Sequence, residues 1–468
     1  MASQPLTEYE RKRLENIKRN AEMMASLKLQ SKALELSSAT KRDRIEKKGY
    51  KITPDKKPKS ETPVIMRRSL RTRGLPPDPS TAKGLVDNIL PPPLKTLSTL
   101  PPKSPTAAKL GPLSFQEANM GDSSNRIFID SIMDMLDNTS FGKRHLVGSG
   151  GSLDLDSMVL KQENVVSVMP GKISNLRFFP SDYRSMIVAG DKFGNIAFWD
   201  VDSKGSDGIY LYQLHTTSIS GISIHPFNLS KVFSCCYDGL VRLLDVEKES
   251  FDLVHSSDNT IVSLSQWPQD ANSICFSEGR GVLNVWDMRA GKSSSSWVLH
   301  DDRINTIDIN PENTNLMVTS STDASACIWD LRQIDAGRPK NLMVVNHKKS
   351  VHSAYFSPTG SCLATTSTDN NVGIFSGADF MDKSMVYHNN HTGWLISSLR
   401  AIWGWDDSSL FIGSMKREVD VISIEGNTRS LQSSDMSAIP CRLAVHPQKV
   451  GTLAASTSGG QIYLWTQS

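Results

Sequence analysis

Short alternations of apolar and polar residues recur along the chain from about residue 165 to its end. Each unit begins with a strand of alternating apolar residues, continues through a second strand to a turn, and ends with a third strand that closes on a bulky apolar residue. The closing residues are Trp199, Leu244, Trp286, Trp329, Phe375, Ile422 and Trp465. They lie 42 to 47 residues apart, a period typical of one blade of a β-propeller.

The residues at the closing positions indicate which kind of propeller this is. A Trp-Asp dipeptide occurs at 199–200, 286–287 and 329–330, Leu244-Asp245 keeps the acid, and the last three units keep only the apolar residue. Because a four-stranded blade cannot bury both of its faces alone, the units must stack around an axis. The sequence therefore predicts an all-β fold, a seven-bladed WD-repeat β-propeller over residues 165–468, closed by a strand near Val165 to Met169.

The first 120 residues lack this pattern. Within residues 1–40, apolar residues at spacings of three and four predict an amphipathic helix that needs a docking surface: Leu14, Ile17, Ala21, Met24 and Leu27. Residues 41–120 are basic and then proline-rich, and 13 of the 23 prolines lie between Pro54 and Pro112. Such a composition predicts a disordered, basic linker.

A second helical pattern precedes the propeller, within residues 121–164. The apolar residues on one predicted face are Ile127, Phe128, Ile132, Met135 and Leu136. A glycine- and serine-rich stretch follows at 148–151. We therefore expect a short docking helix and then a flexible segment in this region.

Charge is distributed very unevenly along the chain. Residues 1–73 contain 20 Lys/Arg against nine Asp/Glu, a net charge of +11, so the overall +3 leaves −8 for the remainder. A basic segment of this kind attracts polyanions by releasing their counterions. The alternative is a solvated segment whose only role is nuclear import, for which Lys56-Lys57-Pro58-Lys59 would suffice.

Several classes of protein are disfavoured by the sequence. There is no apolar run of about 18 residues and the N-terminus is polar, so we expect neither a membrane span nor Sec-type secretion. The six cysteines lack metal-ligand spacing, which predicts reduced thiols and no structural metal. No catalytic signature occurs. The sequence predicts a protein that is not an enzyme and has no cofactor and no small-molecule substrate.

Three histidine–aspartate pairs occupy matching positions in different repeats: His215 with Asp238, His300 with Asp323, and His347 with Asp369. Each histidine lies four residues before the first apolar residue of an opening strand, and each aspartate lies six before a closing position. An active site is not repeated three times in one chain. We interpret the pairs as a buried hydrogen-bond network that links the histidine, the turn aspartate and the third-strand tryptophan.

The propeller geometry sorts the remaining basic residues onto two rims. On the first rim, formed by loops before the first strands and between the second and third, we expect Lys172, Lys192, Arg280, Lys348, Lys349, Lys416, Arg417 and the insertion 388–394. Lysines can neutralise phosphates there, while Trp394 is a candidate wedge between bases. The alternative is that Trp394 packs under its own loop and the charges are ordinary solvated surface.

On the opposite rim the sequence predicts a pair of arginines. Two consecutive repeats end in WDxR, which places Arg289 and Arg332 about one blade apart. Arginine suits bidentate pairing at protein interfaces, although a local ion pair with the preceding aspartate is the simpler role for one such motif.

Three segments together resemble one family: residues 349–358 (KSVHSAYFSP), residues 388–403, and residues 67–76 (RRSLRTRGLP). The chain resembles the WD-repeat-containing protein seventy-six and fungal "changed mutation rate" family, relatives of the small subunit of the ultraviolet-damaged-DNA-binding complex. The resemblance implies nuclear localisation and DNA contact by the first rim and by Arg67, Arg68, Arg71 and Arg73. It also implies that Trp394 occupies the loop that carries a lesion-inserting hairpin in the damage-binding relative, although the aromatic tip of that hairpin is replaced here by Thr392-Gly393-Trp394.

The leading hypothesis is a nuclear DNA-binding scaffold of the DNA damage response and DNA metabolism, with duplex DNA, damaged DNA or nucleosomes as partners. The WDxR pair resembles that of substrate receptors that dock on the damage-binding adaptor of cullin-four ubiquitin ligases, which gives the second hypothesis, with Arg289 and Arg332 as its contacts. A third is a histone-tail binder that uses the central channel of the propeller.

Overall fold

A computed structural model describes residues 111–467, apart from positions 122, 140–152, 204–207, 268–269, 271, 335–338 and 394–395, together with residues 11, 15, 18 and 19. The chain divides into two compact units, Met1–Leu90 and Pro91–Ser468. The described residues of the first unit, Arg11, Glu15, Lys18 and Arg19, are helical. The rest of the helix predicted within residues 1–40, the linker up to residue 110 and the flexible stretch at 148–151 lie outside the described residues.

Seven antiparallel sheets form the second unit, one for each predicted repeat. The first two blades contain β3 (Ile173–Phe178), β4 (Met186–Asp191), β5 (Asn195–Asp200) and β6 (Ile209–Gln213), then β7 (Ile219–Ile224), β8 (Lys231–Cys236), β9 (Leu240–Asp245) and β10 (Ser250–Ser256). The third and fourth contain β11 (Ile261–Gln266), β12 (Ser273–Glu278), β13 (Val282–Asp287) and β14 (Lys292–Val298), then β15 (Ile304–Ile309), β16 (Leu316–Ser321), β17 (Ser325–Asp330) and β18 (Met343–Asn346).

The remaining blades follow the same order. The fifth contains β19 (Val351–Phe356), β20 (Leu363–Ser367), β21 (Asn371–Ser376) and β22 (Asp382–Tyr387), and the sixth contains β23 (Ile402–Trp403), β24 (Ser409–Ser414), β25 (Glu418–Ser423) and β26 (Thr428–Leu431). The seventh contains β27 (Pro440–Val445), β28 (Leu453–Thr457), β29 (Gln461–Gln467) and β2 (Met158–Ser167). Short 3₁₀ helices lie at Leu155–Ser157 and Ala378–Phe380. The predicted seven-bladed, all-β propeller is confirmed.

The ring closes through a strand taken from the N-terminal side of the repeats. Strand β2 pairs antiparallel with β29, with Leu160 opposite Trp465 and Val165 opposite Tyr463. This is the borrowed strand expected near Val165 to Met169, although it begins earlier, at Met158, and ends at Ser167. Closure in this way leaves the last blade with no unpaired outer edge on β29.

A segment before the ring, residues 113–139 and here called the strap, closes the outer side of the interface between the first two blades. It consists of β1 (Leu113–Ser114), which pairs with β10, and two helices, α1 (Phe115–Ala118) and α2 (Asn125–Asn138). Ser114 begins α1 with a capping box to Glu117. Residues 113–118 lie within the range for which the sequence predicts a linker; they are ordered here because Phe115 is buried against the blades.

Helix α2 is the predicted docking helix, rotated slightly from the expected face. Phe128, Ile132 and Met135 are fully buried between the strap and the blades, whereas Ile127 is 58% exposed. Successive helical residues point about 100° apart, so the face centred on Phe128 turns Ile127 towards solvent. The contacted residues belong to the first and second blades: Phe198, Tyr210, Tyr212 and Phe251.

One backbone position takes a left-handed conformation in every blade. It is the last residue of the turn before each third strand: Gly194, Gly239, Gly281, Ala324, Asn370, Arg417 and Gly460. At Gly194 a β-carbon would lie 2.2 Å from the carbonyl oxygen of His215, so glycine is required there. Arg417 occupies the same position without glycine, with φ of 67°.

All six cysteines are buried and form no disulfide. Among the described residues, no helix is both long and apolar enough to cross a membrane.

Candidate nucleic-acid interface

The alternating strand directions place the connecting loops at two ends of the ring. The segments before the first strands and the turns between second and third strands lie at one end, here called the upper face. The turns between third and fourth strands lie at the other end, the lower face. This topology separates the two groups of basic residues that the sequence assigned to different rims.

Lys348 and Lys349 lie on the upper face, immediately before β19, and both are exposed. The backbone N–H of Lys348 donates to Asp369 Oδ2 at 2.9 Å, and the carbonyl oxygen of Lys349 accepts from the Ser367 hydroxyl at 3.0 Å. These bonds fix the backbone of the pair while the ammonium groups point into solvent. A polyanion could therefore reach both charges without any change in the loop.

Lys416 and Arg417 lie on the same face, in the turn between β24 and β25, and are also exposed. Lys416 Nζ is 3.9 Å from Glu418 Oε1, and the Lys416 side chain is 83% exposed. An ion pair of this length at the surface contributes little, so Glu418 neutralises Lys416 only weakly. Lys348, Lys349, Lys416 and Arg417 thus remain available to a ligand.

The insertion that follows β22 is anchored at its base. His388 Nδ1 lies 2.7 Å from Asn390 Oδ1, and His388 Nε2 lies 3.1 Å from Asp420 Oδ2. Asn390 is fully buried and donates to the carbonyl oxygen of Ser367 at 2.9 Å. The anchors tie the fifth and sixth blades together below the loop.

Five predicted DNA-contacting residues lie outside the described part of the chain. They are Arg67, Arg68, Arg71, Arg73 and Trp394. Their roles stay predictions from the sequence. Gly393, immediately before Trp394, is exposed and has a φ of 65°.

Two exposed aromatic residues of the upper face were missed by the sequence reading, which considered only Trp394. Phe193 and Tyr237 are 45% and 39% exposed and lie in the turns between second and third strands of the first two blades. Lys192 Nζ lies 4.6 Å from the centroid of the Phe193 ring. The signal in the sequence was an aromatic residue one or two positions before the turn glycine, where a buried side chain is not expected.

Three arginines at the upper end of the central channel were also missed; we call Arg303, Arg400 and Arg442 the channel-mouth arginines. Arg400 Nη2 donates across the channel to the carbonyl oxygen of Asn305 at 3.4 Å, and Arg303 Nε donates to Asn305 Oδ1 at 3.2 Å. Arg442 Nε donates to the carbonyl oxygen of Ser174 at 2.8 Å. Within the described ranges, none of the three makes a salt bridge to a carboxylate at 4.0 Å or less.

The charges of these arginines lie close enough to act on one another. Burial, and then the charges of Arg400, Arg442 and Arg303, lower the pKa of His352 to about 4. Burial and then the charge of Arg400 lower the pKa of Arg442 below its usual range. The upper end of the channel is therefore a concentrated positive site, to which a neutral His352 adds no charge at pH 7.

The histidine–aspartate pairs form hydrogen-bond networks, as expected, in the fourth and fifth blades. His300 Nδ1 lies 2.9 Å from Asp323 Oδ2, His300 Nε2 lies 2.7 Å from Thr319 Oγ1, and Trp329 Nε1 donates to the same oxygen at 2.8 Å. Burial alone would raise the pKa of Asp323, but hydrogen bonds from His300 and Ser325 hold this pKa well below its usual range. The network is structural, because every member is satisfied inside one blade.

The second blade departs from this arrangement. His215 Nε2 lies 2.9 Å from Ser234 Oγ, but Nδ1 makes no hydrogen bond, and Asp238 accepts instead from the Cys236 thiol and the Thr216 hydroxyl. The ligand atoms of His215, Cys236 and Asp238 lie within 4.8 Å of one another, so they could hold a metal ion. Asp238 already has hydrogen-bond partners, which favours a variant of the same network over a metal centre.

Arg289 and Arg332 lie on the lower face, as predicted, and both are engaged by aspartates. Arg332 makes a bidentate pair with Asp330, at 3.0 Å from Nε and 2.7 Å from Nη2. Arg289 Nη2 lies 3.4 Å from Asp270 Oδ2. The two arginine side chains are still 68% and 62% exposed. The local ion pair therefore forms without hiding either guanidinium group.

Comparison with known proteins agrees with this architecture. The family model described as WD domain, G-beta repeat, matches residues 291–330 and 340–376. A Xenopus laevis protein named WD repeat-containing protein 76 is 32% identical over 98% of this chain and 80% of its own length. The chain belongs to the WD repeat-containing protein 76 family. A mouse protein of the same name is 29% identical over 98% of the chain and 74% of its own length.

Fungal proteins with a different name match about two thirds of the chain. A Neurospora crassa protein named DNA damage-binding protein cmr1 is 30% identical over 64% of this chain and 66% of its own length. The resemblance inferred from residues 67–76, 349–358 and 388–403 is thus confirmed at the level of the family. The name of the fungal relative describes that protein as one that binds damaged DNA.

Proposed function

We propose that this chain is a nuclear, non-enzymatic scaffold that binds DNA through its upper face and acts in the DNA damage response and DNA metabolism. Duplex DNA, damaged DNA and nucleosomes are the expected partners. The observation that carries the proposal is the charge of the upper face: Lys348, Lys349 and Arg417 are exposed, and the channel-mouth arginines lack carboxylate partners among the described residues. The name of the fungal relatives supports DNA as the polyanion.

Two cationic parts of the chain divide the work in this proposal. The basic segment, with Arg67, Arg68, Arg71 and Arg73, supplies sequence-independent affinity by displacing counterions from phosphates. The upper face supplies fixed charges on a rigid ring, so it sets where the nucleic acid lies. Both contributions weaken as salt rises, because the released counterions return to the DNA.

Replacing the four linker arginines Arg67, Arg68, Arg71 and Arg73 by alanine is expected to flatten the salt dependence of duplex binding. Each phosphate contact contributes a slope of about −0.9 in a plot of log affinity against log salt, so loss of four contacts reduces the slope by about 3.6. Fluorescence anisotropy of a labelled duplex across a salt series measures this change.

The matched control removes the same charge from the proline-rich part of the linker, at Lys83, Lys95, Lys103 and Lys109. We expect this control to keep most of the wild-type slope. Equal slopes for the arginine variant and the wild type would remove residues 67–76 from the DNA contact. Absence of salt-dependent DNA binding by the wild type would overturn the proposed function itself.

A second candidate function is docking on the adaptor of a cullin-four ubiquitin ligase. The supporting observation is the lower face, where Arg289 and Arg332 remain exposed in neighbouring blades on the side away from the upper-face cations. Replacement of both by alanine is expected to abolish co-purification of the adaptor while duplex affinity stays within about two-fold. Retention of the adaptor by the double variant would contradict this assignment.

The charge of the channel disfavours the third hypothesis from the sequence, a histone tail in the channel. Histone tails are rich in lysine and arginine, and like charges repel strongly in a partly desolvated site. The channel-mouth arginines would oppose such a tail at the upper end.

A further inference from the structure

The channel-mouth arginines have more hydrogen-bond donors than the protein uses. Arg400 Nε is buried and makes no hydrogen bond, and Arg400 Nη1 makes none with the described residues. Arg303 uses only Nε, and Nη2 of Arg442 is likewise unused in the described part of the chain. Half-buried guanidinium groups with unused donors and no carboxylate nearby are costly, so an anionic ligand would stabilise this site.

The site also has the geometry of an anion cradle. Arg442 in β27 and Arg400, two residues before β23, occupy equivalent positions in neighbouring blades, where the other five blades carry Asn175, Gly221, Ser263, Thr306 and Ser353. Backbone carbonyls hold both arginines: Arg442 donates to Ser398 as well as Ser174, and Arg400 donates across the channel to Asn305. Guanidinium groups fixed in this way are preorganised for a tetrahedral oxyanion.

We propose that the channel-mouth arginines bind a phosphate group of an unpaired nucleotide. Binding there gives the protein a preference for DNA that carries a single-stranded end or gap over intact duplex. This inference rests on the proposed function, since it requires DNA at the upper face.

Depth distinguishes an unpaired strand from a duplex at this site. Arg442 is two residues after Pro440, the first residue of its strand, and a strand rises about 3.3 Å per residue, so its backbone lies about 7 Å below the strand start. A duplex resting on Lys348, Lys349 and Arg417 keeps its phosphates on the outside of a wide, stiff cylinder. A single strand is narrow and flexible enough to carry one phosphate down to the arginines.

Aromatic side chains beside the mouth complete a site for an unpaired nucleotide. Tyr237 lies close enough to Arg442 for the two groups to interact electrostatically. Burial lowers the pKa of Lys172, and Arg442 and Lys192 lie close enough for their positive charges to lower this pKa further. Lys192 in turn lies over the exposed ring of Phe193. An unpaired base can stack on such a ring, as bases do on aromatic side chains in single-strand binding proteins.

The test compares a blunt hairpin duplex with the same duplex carrying a five-thymidine tail, using the full chain and fluorescence anisotropy. We expect the wild type to bind the tailed duplex at least about 10-fold more tightly, equivalent to about 1.4 kcal/mol. Arg400→Gln is expected to reduce this preference to less than about two-fold, because it weakens binding of the tailed duplex more than binding of the blunt duplex. The matched control is Arg280→Gln, because Arg280 is an exposed cation of the same face outside the channel.

The outcomes separate this inference from the proposed function. Equal affinity of the wild type for blunt and tailed duplexes would overturn the inference and leave the proposed function standing, whereas no binding to either would overturn both. If Arg400→Gln unfolds, competition in the wild type decides: free pentathymidylate should remove the tail preference. A phosphoserine peptide that competes equally well would show a general phosphate site and overturn the assignment to an unpaired nucleotide.

Discussion

Replacing Phe128 by alanine is expected to lower the free energy of unfolding by about 3–5 kcal/mol. Phe128 lies on α2 of the strap and is fully buried. Its ring centroid is 4.7 Å from that of Phe198, 5.1 Å from that of Tyr210 and 5.7 Å from that of Tyr212. The substitution leaves a cavity between the strap and two blades and removes these aromatic contacts, so the strap should lose most of its hold on the ring.

Ile127→Ala is the matched control, because Ile127 is the neighbouring residue of the same helix and is 58% exposed. It should change stability by less than about 0.5 kcal/mol. Urea denaturation gives the free energies, and hydrogen exchange of the amides at 125–138 reports the strap directly. Similar losses for both variants, or unchanged protection of these amides in Phe128→Ala, would contradict a structural role for the strap.

The repeat could be predicted from the sequence because the same physical constraint acts seven times. Each blade must bury a closing side chain such as Trp329 or Trp465, and each must make the same left-handed turn before its third strand. The strap was only partly predictable. Its helix has a clear apolar face, but the order at Leu113–Ser114 depends on pairing with β10, about 140 residues later in the chain, and local composition around Pro112 indicates a linker.

The site was less predictable than the fold, and the reason is geometric. Exposed cations such as Lys348 and Arg417 lie in loops, and the repeat alone assigns these loops to the upper face. Arg442 lies in β27 and Arg400 lies two residues before β23, and a lone charge at either position gives no sign in the sequence that it faces a shared channel. Only alignment of the seven first strands, register by register, shows that these two positions carry arginine where the other blades carry small or neutral residues.

The upper face is expected to contribute as much to the salt dependence of DNA binding as the four linker arginines do. Replacing Lys348, Lys349, Lys416 and Arg417 together by glutamine should reduce the slope of log affinity against log salt by about 3.6, since each lost phosphate contact removes about 0.9. Between 50 and 200 mM salt, the wild type would then lose about 100-fold more affinity than the variant. The hydrogen bonds of Lys348 to Asp369 and of Lys349 to Ser367 use main-chain atoms of the two lysines, so they should persist in the variant.

A charge-matched control separates the upper face from general electrostatics. Lys161, Lys292, Lys383 and Arg429 are exposed cations on the outermost strands of four blades, and their replacement by glutamine removes the same charge from the propeller. If DNA lies on the upper face, this control should retain most of the wild-type slope, because charges beyond a Debye length of about 10 Å at 0.1 M salt are largely screened. A slope that falls equally in both variants would mean that net charge, and not a defined face, holds the DNA. Combining the upper-face and linker-arginine substitutions should lower the slope by the sum of the two separate changes, because each set contacts different phosphates.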